Sequence, residues 1–135
     1  MAETSVEELR RHIESAEEAY EFLISYASKG VDRSQPAGMS AEVTDYLQQL
    51  GEAMVAGHEA AAAVPEEHDI DGETHYESFV ETMGEEVAEA TTVVELLSAQ
   101  EAITSAQVDD MNGMSVFQSV MMKFFLLDDL TAHLP

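Results

Sequence analysis

Between Pro65 and Glu77 the chain reads PEEHDIDGETHYE, in which six of thirteen residues are Asp or Glu and two are His. Carboxylates and imidazoles are the groups that divalent cations take as ligands, so His68, Asp69, Asp71 and His75 are candidate metal ligands. Their spacing departs from an EF-hand loop. Gly72 falls too early, and Val80 stands where the twelfth-position Glu counted from Asp69 belongs. A helix N-terminus also favours acidic side chains without any metal, through its free N–H groups and its dipole. The expectation is a solvated acidic loop with at most a weak surface cation site, and no cofactor.

Other chemistry is thinner still. A ferritin-like di-metal centre needs Glu and Glu-x-x-His ligands pointing into a helical core, and the chain has no Glu-x-x-His. Glu14, Glu17, Glu18 and Glu21 in the first quarter, and Glu77, Glu81, Glu85, Glu86 and Glu89 in the middle, fall beside or opposite the apolar positions. There is no Cys, no Gly-rich phosphate loop and no G-x-S-x-G. Arg10, Arg11 and Arg33 form no evident anion clamp, and His12 has no evident partner. Asp129 and His133 lie one turn apart, but a helix C-terminus explains a His there by its dipole alone. No acid, base or nucleophile can be assigned, and the chain reads as a non-enzyme.

The stretch AGHEAAAAVP resembles the histidine phosphotransfer family in fold class and in offering a lone His, His58. The resemblance implies a phosphoryl acceptor on an acidic helical bundle. That family's motif has a Lys three residues after the His and a Gly after that, where this chain has Ala61 and Ala62. The group that would help hold the phosphoryl group is missing, so His58 reads as a residue at the edge of a helical seam.

The elements that would carry these groups are helices. Overlapping capping boxes at Thr4/Glu7 and Ser5/Glu8 open the first, expected over 5–29. Its stripe is Val6, Leu9, Ile13, Ala16, Tyr20, Leu23, Ala27, with Gly30 placed to end it in a left-handed cap. A loop punctuated by Pro36 and Gly38 follows. The second helix is expected from Ser40 or 41 to 64, ending at Pro65, with the stripe Val43, Leu47, Leu50, Met54, Gly57, Ala61, Val64. Gly51, Ala53, Ala56, Ala60, Ala62 and Ala63 beside that stripe suggest a socket for bulky side chains. The third, over 74–97, carries Tyr76, Val80, Met83, Val87, Ala90, Val94, Leu97. Ser98 with Glu101 predicts a short helix over 99–111, ending at Asn112-Gly113, unless the third helix continues with a kink. The last, over 115–133 and opened by Ser115 with Gln118, places Phe117, Val120, Phe124, Leu127 and then Leu134 inward. No stretch alternates with period two, so no strand is expected. The fold class predicted is all-α, an antiparallel up-down-up-down four-helix bundle with an extra short helix between the third and last helices, in one domain, 1–135.

Charge bounds the partners. With 28 acids against 5 bases the formal net charge is −23, and only Lys29 and Lys123 are lysines. Such a chain repels phosphate backbones and anionic lipid, which argues against nucleic acid and membrane surfaces. No apolar run reaches the ~18 residues of a spanning helix, and MAETSVEELRRH has no signal-peptide pattern. The expected compartment is the cytoplasm. Self-repulsion of this size is screened only near molar salt, where the Debye length is ~3 Å, so the composition points to a halophilic adaptation.

One surplus remains. Beyond its inward stripe the last helix carries Met121, Met122, Phe125, Leu126 and Leu130, and four of the eight methionines lie between 111 and 122. A helix apolar nearly all round is either central in the fold or covered by another chain. The expectation is an interaction or structural module that self-associates as a dimer, or docks a protein partner, through Met122, Phe125 and Leu126. The alternative is a metal-binding bundle, ferritin-like or with a surface site, or the phosphotransfer-type domain.

Overall fold

The computed structural model of the protein describes residues 2–34 and 37–135, with the backbone alone for 37–40. The expected punctuation at Pro36 lies outside the described residues, while Gly38, expected in the loop, and Ser40 fall in the first turn of α2, which starts earlier than 40 or 41. Among the described residues there are five helices and no strand: α1 (Ser5–Ala27), α2 (Ala37–Glu67), α3 (Glu73–Ser98), α4 (Ser105–Asn112) and α5 (Ser115–Thr131). None is long and apolar enough to cross a membrane.

The helices pack as a bundle, and named contacts fix their neighbours. α1 lies along α2: the Ser5 amide donates to the Glu67 carboxylate at 3.1 Å, the Gln49 side chain to the Ser15 carbonyl at 3.0 Å, and the Phe22 and Tyr46 rings stack with centroids 3.9 Å apart. α2 lies along α3 through Ala61 with Tyr76, His58 with Val80, and Gly51 with Val94. α5 contacts α3 and α1, and reaches α2 where Phe124 meets Gly57. α4 packs chiefly on α1.

Thr4 caps α1 in a full capping box with Glu7. Ser5 is instead the first helical residue, and its amide is capped by Glu67 from the far end of α2. That bond holds the Glu67 carboxyl below its ordinary value, so one acid of the 65–77 stretch serves as an inter-helix cap. Gly30 has φ +70°, a conformation that disfavours any Cβ, as its position past the helix predicts.

α2 runs through Pro65 rather than ending before it. A proline offers no N–H, so the Ala61 carbonyl one turn earlier loses its helical donor. The Tyr76 hydroxyl donates to that carbonyl at 2.7 Å, within the core. A phenol from α3 thus replaces the missing amide, and its burial pushes its pKa up to about 12.

The short helix begins later than Ser98/Glu101 predicts. Ser98 is the last residue of α3, and the working capping box is Thr104 with Gln107, whose side chains exchange bonds with each other's amides at 3.1 and 3.0 Å. The delay lets Ile103 bury fully and lets its carbonyl accept from the Tyr26 hydroxyl at 2.5 Å. Ser105 then closes the joint: its hydroxyl donates to the Tyr26 carbonyl and accepts from the Val31 amide.

The stripes of α2 and α3 are buried at every expected position. In α1 the inner face is rotated slightly. Ala19 and Tyr26 are buried, while Tyr20 and Ala27 are only partly covered.

Candidate functional site

α5 divides into two faces of opposite fate. Inward lie Val116, Phe117, Val120, Met121, Phe124, Leu127 and Thr131. Phe124 is fully buried, and its ring edge lies 2.9 Å from where a Cβ on Gly57 would stand. The bulky side chain is thus received at Gly57, a residue of the inward stripe rather than of the small residues beside it, and Gly57 is small because Phe124 fills the space. Outward, Met122 is 65% exposed, Leu130 49%, Leu126 46% and Phe125 37%. Met121, expected in the outer set, is buried, because α5 lies against both α1 and α3 and this widens its inner arc.

Both ends of α5 are tied down. Met114 occupies the N-cap without a side-chain bond, so Ser115 with Gln118 does not act as a capping pair. At the other end the Arg10 guanidinium donates to the carbonyls of Thr131 at 3.2 Å and Ala132 at 3.0 Å. Helix C-termini leave carbonyls unpaired and carry partial negative charge, so Arg10 is accounted for by this end of α5.

The exposed crest continues into its neighbours. On the α1 side, Tyr20, Met121, Met122 and Phe125 line a groove of about 400 Å³ edged by Glu17 and Glu21. Burial, with the charges of Glu21, Asp128 and Glu14 nearby, raises the Glu17 carboxyl above its ordinary value. On the α3 side, Tyr76, Phe79, Leu126 and Leu130 line a cleft of about 380 Å³. Lys123 stands between, ion-paired with Glu86 and 5.9 Å over the Phe79 ring. Burial alone pulls the Glu86 carboxyl up, but Lys123 and the Ser119 hydroxyl outweigh it and hold it below its ordinary value.

The α3-side cleft also collects part of the acidic stretch. Asp69, Asp71 and His75 reach its rim, where His133 joins them, while His68 stands outside it. Among the described residues no group of three or more His, Asp or Glu is placed to hold a metal ion. Asp129 and His133 form no ion pair with each other among the described residues.

His58 is half-buried between helices, its Nε2 2.7 Å from the Val80 carbonyl. The donor can approach because Gly84 lacks a Cβ, which would stand 3.1 Å from Nε2. His58 therefore works as a bond between α2 and α3.

Sequence reasoning found Met122, Phe125 and Leu126 because they lie off the inward stripe. It placed Tyr20 in the inward stripe of α1 and did not single out Phe79, and these two flank them from other helices. Compared with known proteins, the chain matches no family model, no curated protein and no solved structure.

Proposed function

We propose that this protein is a non-enzymatic interaction module that self-associates through the outer face of α5. The observation that carries the reading is the exposure of Met122, Phe125, Leu126 and Leu130 along one side of a single helix. A contiguous apolar surface of this kind marks an interaction site or an aggregation liability, and a second copy is the simplest cover, since twofold dimers are the commonest soluble oligomers. The architecture that presents this face is, in our reading, an antiparallel up-down-up-down bundle of α1, α2, α3 and α5, with α4 as an added cap. The pairings Ser5–Glu67, Ala61–Tyr76 and Arg10–Thr131 support it, each joining the start of one helix to the end of another, as does the cleft that Tyr76 at the start of α3 shares with Leu130 at the end of α5.

Salt is part of the proposal. Two chains of charge −23 repel, and Glu17, Glu21 and Asp128 edge the face that must meet its copy. Screening at molar salt removes most of that repulsion while leaving apolar burial intact. The setting that fits is a salt-rich cytoplasm.

Because the chain has no Cys, a single introduced thiol tests the geometry. Met122→Cys in 2 M KCl is expected to form a disulfide-linked dimer on mild oxidation, and Glu42→Cys on exposed α2 is not. Equal, slow cross-linking at both positions would contradict an α5 interface.

A further inference from the structure

We propose that the groove between α2 and α3 binds the apolar stripe of a basic amphipathic helix from another protein. This surface shares no residue with the α5 crest. It is the largest concavity among those described, about 670 Å³, and it is long as well as large. Its α2 wall runs from Gln48 to Glu59 and its α3 wall from Thr91 to Ala99. At 1.5 Å per residue the α2 wall extends roughly 16 Å, the length of three helical turns.

The floor is built for large guests. Ala56 and Gly51 present almost no side chain, and the Val94 side chain lies over Gly51, 3.4 Å from where a Cβ there would stand. Val55 stands at the edge, 41% exposed without a partner to cover it. At the α3 end the Ser98 hydroxyl is buried with no hydrogen-bond partner among the described residues. Small residues along two parallel ridges accept the i, i+3/i+4, i+7 anchors of a third helix.

Charge selects the occupant. Glu52, Glu59 and Glu95 rim the groove, and neither α2 nor α3 contains a single Lys or Arg. Among the described residues none of these carboxylates has an ion-pair partner. A second copy would bring acid onto acid, since the whole chain has five bases, and here only Val55 offers exposed large apolar surface to offset that repulsion. Nucleic acid is repelled for the same reason. A helix with a Leu or Ile stripe flanked by Lys and Arg satisfies both the floor and the rim, the charges steering and orienting it while apolar burial holds it.

The test uses two fluorescein-labelled peptides of about four turns. One has Leu at i, i+4, i+7 and i+11 with Lys alongside, and the other is a scramble of the same composition. Binding to the full chain is followed by anisotropy in 1 M KCl, where contacts from charge alone are largely screened. The striped peptide is expected to bind, with the scramble weaker by about tenfold or more. Val55→Lys, at an exposed position that leaves the helical circular dichroism unchanged, should weaken it by at least about tenfold, and Phe125→Glu should not change it. Equal affinity for the scramble, no effect of Val55→Lys, or no binding at all would overturn the proposal. Loss on Phe125→Glu would move the site to α5 and overturn it too, whereas an unaltered chain that stays monomeric, or a Phe125→Glu variant that keeps the dimer, with peptide binding intact, would count against the α5 reading alone.

Discussion

Phe124 and Phe125 are neighbours in sequence and identical in type, yet one is fully buried and the other is more than a third exposed. The difference lies in what the opposite helix offers. Phe124 meets Gly57, whose missing side chain leaves room for the ring, while Phe125 faces outward over a groove edged by Tyr20 and Met122. Apolar residues on the inner face have been given partners within the chain, and those on the outer face have not. Stability and association should therefore separate cleanly between the two faces of α5.

The sharpest break in that comparison is truncation. Phe124→Ala is expected to cost about 3–5 kcal/mol in chemical denaturation, as large buried aromatics do. Phe125→Ala should stay within about 0.5 kcal/mol for the monomer. Similar losses at both positions would mean the outer face is not free.

A middle-sized effect tests the other place where the bundle compensates a local defect. Tyr76→Phe leaves the Ala61 carbonyl buried without a donor, since Pro65 supplies none, and should cost about 1–3 kcal/mol. Pro65→Ala in the same chain restores an amide and should recover most of that loss. If the double variant is no more stable than Tyr76→Phe alone, the phenol is not replacing the missing bond.

The smallest effects are electrostatic. Melting temperature is expected to rise from ~0.1 to ~2 M KCl as screening shortens the Debye length, and a flat or falling curve would contradict the halophilic reading. Glu17, whose carboxyl is raised by burial and by its acidic neighbours, is a local source of this dependence. Its charged form is disfavoured in the folded state, so stability lost above the raised pKa returns as pH falls through it. Glu17→Gln should raise the melting temperature slightly at neutral pH, less so at 2 M KCl than at low salt.

How much of this was legible in the sequence follows from the range of the interactions. The α2 and α3 stripes could be read residue by residue, because a helix that buries one face repeats its apolar residues at helical spacing. α1 was read less well, since it touches α2, α4 and α5, and Tyr26 is drawn inward by Ile103 in the segment before α4. The short helix was read from Ser98 with Glu101 alone, whereas the cap is Thr104 with Gln107, after a buried Ile103. Pro65 was misjudged as a helix end and Arg10 was given no role, for one reason: each is explained by a partner in another helix, Tyr76 and the α5 carboxyl end respectively. In the candidate site, the outward residues of α5 carried a local signal, while Tyr20 was read as an inward stripe residue and Phe79 carried none.

Light scattering on the purified chain in 2 M KCl, beside Phe125→Glu, tests the central claim most directly. The account predicts a mass of twice 14.8 kDa for the unaltered chain and a folded monomer for the variant. A monodisperse monomer for both, equally soluble and equally helical, would contradict it.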